Sequence, residues 1–370
     1  MSIDQHGDVT IEGASLRALP KVSLHDHLDG GVRPATVAEL AEGAGVELPV
    51  GADGLADWFA EHSDAGSLEE YLKTFDVTVG VMQTRENLQR VAREFVADLA
   101  ADGVIYGEVR WAPEQHLTRG LTLDEAVEAV QDGIEEGEDA AEQDGHDIRV
   151  GQLISGLRQS NHVREVAELA VAWRGRGVVG FDIAGPEDGF APALHRDVFD
   201  YLAAEFFPTT IHAGEAAGLD SIRSALLDGR ALRLGHGVRL ASDLDVISRS
   251  GEEVMVQFGD LARWVRDREI TLELSPSSNL QTGAIQAWGE TIEDHPFDLL
   301  YQLGFSVTVN VDNRTMSRTS LTRELALLSQ AFGYGLDDLE AFQLNAAAGA
   351  FLPVEEREEL IELIVAGFQA

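Results

Sequence analysis

The spacing of apolar residues changes repeatedly along the chain. Eight short runs rich in apolar and β-branched residues read KVSLHDHL, VIYGEVRWAP, RVGQLISGLR, VVGFDIAG, PTTIHAGE, LRLGHGV, ITLELSPSSN and SVTVNVDN. Between them lie longer stretches in which apolar residues recur every three or four positions, the period of a helix. Strands alternating with helices predict βαβ units around a parallel sheet, and eight of them predict an α/β fold of the (β/α)8 TIM-barrel type. A doubly wound open sheet would also alternate in this way, but no GxGxxG turn follows the first run.

The polar residues of these runs sit near their ends: His25 and His27, Glu108 and Arg110, Asp182, His212 and Glu215, His236, Ser277 to Asn279, and Asp312 with Asn313. In a closed barrel the C-terminal strand ends surround the active site, so these positions converge on one mouth. Between the first and second runs lie roughly 75 residues of mostly helical pattern. There Leu68, Leu72, Phe75 and Val79 share a helical spacing, which predicts a helical insertion that either covers the mouth or packs as an outer helix. The segment TLDEAVEAVQDGIEEGEDAAEQDG sets apolar residues against acids and predicts a solvated outer helix. A single domain over residues 1–370 is expected, since α/β barrels commonly exceed ~250 residues as one unit.

With 44% hydrophobic and 25% charged residues, a packed globular chain is expected rather than a disordered one. The 27 basic and 65 acidic residues give 27 − 65 = −38, a field that repels phosphate backbones and anionic membranes. Nucleic acid and membrane are therefore poor partners. The absence of cysteine excludes disulfides, thiolate metal ligands and cysteine nucleophiles. The start MSIDQHGDVTIEGASLRALP lacks a basic-then-apolar leader, and no segment approaches the ~20 apolar residues of a membrane span, so a cytoplasmic location is expected.

Alternate strand residues face the same way, so His25 and His27 project together, with Asp29 beyond them. An HxH pair alone is a weak metal signal. Here His212, His236 and Asp312 end three further strands, and three imidazoles with a carboxylate suit zinc, while iron or cobalt would also be accepted. The other histidines, His6, His62, His116, His146, His162, His195 and His295, fall mainly in helical or loop stretches and are assigned surface or structural roles. Lys21 opens the first strand at the wrong end and Lys73 lies in the insertion, so neither bridges two metals; one metal per chain is expected. Glu108 and Arg110 read as a buried ion pair bracing the barrel, and Asp182 as a supporting residue.

The stretches PKVSLHDHLDGGVRP, YGEVRWAP, VVGFDIAG, IHAGE, LGHG, SPSSN and VTVNVDN, in this order and spacing, resemble the adenosine deaminases, specifically their bacterial branch, over nearly the whole chain. The resemblance implies that His25, His27, His212 and Asp312 hold one Zn2+, that Glu215 donates a proton, and that His236 positions and polarises the attacking water. It further implies that Asp29 accepts from the ribose 5′-hydroxyl, that the Gly185 N–H faces nitrogen-3 of the purine, and that Tyr71, Leu72 and Phe75 form an apolar lid. Zinc lowers the pKa of water to ~7, which supplies the nucleophile for carbon-6. Asp312 would take that water's proton, and Glu215 must stay protonated near neutral pH to donate to nitrogen-1.

Two departures stand out. Many family members carry paired aspartates where this chain has Asp312-Asn313, but the Asn313 amide already has an N–H to offer nitrogen-7. Ser275 stands where relatives often have Cys. The expected reaction is hydrolytic deamination of adenosine, and of 2′-deoxyadenosine, in purine salvage. Adenine or a modified adenosine such as aminofutalosine remain alternative substrates, and a non-catalytic zinc- or nucleoside-binding barrel is the alternative of another class. The partner expected is a small purine nucleoside; the sequence sets no oligomeric state.

Overall fold

A computed structural model describes residues 2–3, 9–250 and 253–370. Eight parallel strands follow the eight runs: β1 (Lys21–His27), β2 (Val104–Trp111), β3 (Arg149–Leu157), β4 (Val178–Ala184), β5 (Thr210–Ala213), β6 (Arg233–His236), β7 (Thr271–Leu274) and β8 (Val307–Val309). They pair in chain order within two four-stranded halves. The halves close at both seams, through a Phe181 to Thr209 bridge and an Asp26 to Asp312 bridge. At the second seam the His27 N–H donates to the Asp312 carbonyl at 2.8 Å and the Asp312 N–H to the His25 carbonyl at 3.0 Å. The backbone that closes the barrel therefore also fixes three of the residues singled out above.

The segment between β1 and β2 is helical: α1 (Pro34–Ala44), α2 (Leu55–Ser63), α3 (Leu68–Leu72), α4 (Phe75–Val81) and α5 (Arg85–Ala101). The continuous helix expected through Leu68 to Val79 is broken after Leu72. There the N–H groups of Lys73 and Thr74 bond back three residues to Glu70 and Tyr71, and the Thr74 hydroxyl also donates to the Tyr71 carbonyl at 2.8 Å. The hydroxyl competes for the carbonyl that a continuing helix would use.

Helix α6 (Leu123–Gln143) begins with a Thr122/Glu125 capping box, and its inner face, including Val127, Val130 and Ile134, is buried. The run ITLELSPSSN is a strand only as far as Leu274; Pro276–Gln281 is a short helix, started by a proline at its first position. An antiparallel hairpin of Leu244–Ser250 and Glu253–Phe258 was not signalled by the pattern.

The barrel interior is charged beneath the mouth. Glu108 and Arg110 are both buried, but they do not pair with each other. Arg110 reaches Glu273 at 2.6 Å, and Glu108 reaches Arg233 at 2.5 Å. Arg233 also contacts Glu273 at 2.6 Å. Two positions apart on β2, both side chains point into the barrel, where each meets its partner across the interior and not along the strand. Glu273 is the hub, since it also accepts from Thr210 and adjoins His25. Replacing Arg233 with Met takes the buried cation from Glu108 and leaves Glu273 with Arg110, and is expected to lower stability by about 3–5 kcal/mol. Urea unfolding of the two proteins measures this; equal midpoints would remove the network from the stability account.

Candidate active site at the barrel mouth

His25 and His27 leave the end of β1 with ring centroids 5.4 Å apart. His25 places Nδ1 3.0 Å from Glu273 Oε2 and Nε2 3.1 Å from Asp312 Oδ1. His27 Nε2 lies 3.2 Å from His212 Nε2 and 3.3 Å from Asp312 Oδ1. His212, at the end of β5, sets Nδ1 2.9 Å from Asp182 Oδ2. His25, His212, His236 and Asp312 each offer a ligand atom within 4.8 Å of the others, with His27 Nε2 adjoining.

These residues fit a cation. Carboxylates occupy the Nδ1 atoms of His25 and His212, which leaves their Nε2 lone pairs free, the arrangement found around metal-bound imidazoles. His25 Nε2 is buried and faces the Asp312 carboxylate at 3.1 Å. Facing Nε2 atoms 3.2 Å apart would repel unless a proton or a cation lay between them. The donor set of nitrogen and carboxylate oxygen suits a divalent transition metal. His236 and Asp312 both adopt positive φ, 62° and 58°, a conformation costly for non-glycine residues and typical of functional sites.

Glu215 follows His212 on the turn after β5. It is buried, and its Oε2 lies 3.5 Å from His236 Nε2. Burial, then the negative charges of Asp312 and Glu187, push its carboxyl well above the usual range; a cation bound beside Asp312 would offset the second of these. Asp312 is held low: burial acts to raise it, but its contact with His25 outweighs that. Asp182 is likewise brought down to about 2, with His212 and Arg110 overcoming its burial. Glu215 and Asp312 therefore sit in opposite protonation tendencies within one pocket, the pattern that separates acid from base roles.

A cavity of about 270 Å3 opens above this cluster. His27, Asp29, Leu72, Phe75, Gly185, His212, Glu215, His236, Asp312 and Asn313 line it, together with Tyr71; His25 lies beneath. Leu72 and Phe75 come from the two sides of the α3–α4 break, so the insertion roofs the cavity. The Oδ1 atoms of Asp29 and Asn313 and the Tyr71 hydroxyl are buried without partners. Burial raises Asp29 to about 6, with backbone N–H groups opposing and Asp312 adding to the rise. Gly185 has φ 99°, so its backbone can turn an N–H toward the cavity without strain. Gly30 gives Asn313 its place: a Cβ there would lie 1.9 Å from Asn313 Oδ1.

Glu187 was not singled out by the sequence. It is buried and accepts from the N–H groups of Gly214 (2.6 Å), Glu215 (3.0 Å), Ala216 (2.7 Å) and Ala217 (2.9 Å), and from Ser221 Oγ at 2.5 Å. One carboxylate thus pins the whole turn that carries Glu215. Its only sequence signal was an acid just past a strand end, in GPEDGF. Among the remaining histidines, His116 and His295 are buried and His195 bonds to the Arg158 carbonyl, whereas His6 lies outside the described residues.

A closed parallel barrel with imidazoles and carboxylates gathered at its C-terminal mouth defines the class of metal-dependent barrel hydrolases. A family model described as adenosine deaminase matches residues 20–367. The chain belongs to the adenosine deaminase family. It is 54% identical over 352 residues to "Adenosine deaminase 1" of Streptomyces coelicolor, covering 95% of this chain and 87% of that protein. It is 50% identical over 353 residues to "Adenosine deaminase" of Mycobacteroides abscessus, covering 95% of each. Among solved structures, an adenine deaminase from Arthrobacter aurescens superposes with a TM-score of 0.80 at 21% identity, covering 95% of this chain and all of that one, a likeness of fold. No helix among the described residues is long and apolar enough to cross a membrane.

Proposed function

We propose that the chain hydrolyses adenosine, and 2′-deoxyadenosine, to inosine or 2′-deoxyinosine and ammonia, with zinc as its metal and purine salvage in the cytoplasm as its setting. The observation that carries this reading is the buried, upshifted Glu215 beside a cluster of imidazoles and a carboxylate kept low. His25, His27, His212 and Asp312 would hold the zinc ion. When bound, zinc is a Lewis acid that lowers the pKa of water to ~7 and so provides the nucleophile at neutral pH.

The chain's own groups would do the rest. Glu215 keeps its proton at neutral pH and delivers it to nitrogen-1 as carbon-6 is attacked, so the ring nitrogen need not carry negative charge. Asp312 Oδ2, held by the Ser278 hydroxyl at 2.6 Å, offers a carboxylate to take the water's proton. The Asn313 amide donates to nitrogen-7, the Gly185 N–H to nitrogen-3, and Leu72 and Phe75 cover the purine and exclude solvent. The family resemblance supports these pairings, and the unpartnered polar atoms around the cavity support a polar ligand.

Asp29 lies at the sugar end of this arrangement and would accept from the 5′-hydroxyl, which favours a nucleoside over the free base. Asp29→Ala is therefore expected to raise KM for adenosine about 10- to 100-fold, the range for a lost hydrogen bond to a charged group. It should leave KM for 5′-deoxyadenosine nearly unchanged. Equal losses on the two substrates would remove the sugar contact from the reading.

A further inference from the structure

His236 Nδ1 faces the Asn279 amide nitrogen at 3.0 Å. The other end of that amide, Oδ1, faces His295 Nε2 at 3.2 Å. His295 Nδ1 in turn receives the backbone N–H of Phe297 at 3.0 Å. All three side chains are buried, at 1%, 0% and 3% exposure for His236, Asn279 and His295, so water does not complete the set.

The direction of every bond in this chain follows from its last member. A backbone N–H can only donate, so His295 Nδ1 is an acceptor and the neutral ring carries its proton on Nε2. Burial brings His295 down to about 3, which keeps that ring neutral. Its Nε2–H needs an acceptor, and the amide oxygen of Asn279 is one; the flipped amide would set N–H against N–H. The Asn279 nitrogen is then turned toward His236 and can only donate. His236 Nδ1 must accept, and a proton there would again oppose N–H to N–H.

We propose that Asn279 and His295 are positioning residues that hold His236 as the neutral tautomer with its proton on Nε2, directed at Glu215 and the cavity. The consequence for the site is selective. A protonated Nε2 has no lone pair for a metal, so His236 is a donor at the cavity wall, and His27, 3.3 Å from Asp312 Oδ1, completes the ligand set in its place. That donor can orient the lone pair of an attacking water and can brace Glu215 Oε2, 3.5 Å away. Asn279 and His295 act through His236 and touch no substrate. The tautomer follows from the hydrogen bonds alone; only its effect on rate rests on the deaminase reading.

The test is the ring 15N spectrum of the zinc-loaded protein, with His236 assigned through H236Q, beside adenosine kinetics. In the native protein Nδ1 should be unprotonated and Nε2 protonated. N279D replaces the amide donor with a carboxylate acceptor, so the proton should move to Nδ1. With it kcat should fall about 10²- to 10⁴-fold, the scale seen when a catalytic imidazole is held in the wrong tautomer, at unchanged zinc content and with KM within about threefold. H295Q retains a donor to Asn279 Oδ1 and should keep the native tautomer and most of the rate. Should N279D not fold, H295L frees the amide to flip and should show both tautomers. A native His236 protonated on Nδ1, or an N279D or H295L ring unchanged from native, overturns the proposal. A native ring as described in a protein that does not turn over adenosine overturns the functional reading and leaves the relay standing.

Discussion

Glu215→Gln is expected to lower kcat for adenosine about 10²- to 10⁴-fold, the contribution of a positioned general acid, with little change in KM. Glutamine nearly preserves the shape of the side chain, so the turn pinned by Glu187 should keep its hydrogen bonds. What is lost is the proton. The pH dependence carries the sign: the active form has Glu215 protonated, and its carboxyl is raised above the ordinary value by burial first. Activity governed by this group is therefore retained through neutral pH and lost as pH rises through the raised value. In the glutamine variant that alkaline limb should vanish, because nothing at the position titrates. A variant with native kcat, or with the same alkaline limb, would take the acid role away from Glu215.

Loss of the metal should have an effect at least as large. Chelation is expected to abolish turnover, and stoichiometric zinc to restore it to the native protein. His212→Ala should not recover under the same zinc, because it removes an Nε2 next to both His27 and Asp312. Asp182→Asn is the graded version. The carboxylate that orients His212 through Nδ1 at 2.9 Å becomes an amide, and metal affinity should weaken about 10- to 100-fold. At saturating zinc the variant should regain most of its rate. Competition with a chromophoric chelator gives the affinities; an unchanged value for Asp182→Asn would show that His212 needs no such support.

The barrel was legible because its strands and helices carry different periods and because polar residues recur where strands end. His25 and His27 could be set side by side from strand phase, and His212 and Asp312 at the same mouth because each ends a predicted strand. What eluded the sequence depends on pairing across the barrel. Glu108 and Arg110 look like partners when read along β2, and as alternate strand residues both do face the barrel interior, yet each finds its counterpart across the barrel, on β7 or β6. The break between α3 and α4 turns on a threonine hydroxyl that competes for a backbone carbonyl, a local contest that apolar spacing does not register. His295 reads as a loop histidine, and only the fold carries it to Asn279. Glu187 likewise gains its role from four turn N–H groups and the Ser221 hydroxyl, 27 to 34 residues away in the chain.

The most direct test is the ultraviolet spectral change when zinc-replete protein meets adenosine, adenine and AMP separately, with a chelated sample alongside. Rapid conversion of adenosine to inosine, little or none of adenine and AMP, and silence after chelation are expected. Turnover of adenine in preference to adenosine, or an adenosine rate indifferent to complete removal of the metal, would contradict the account.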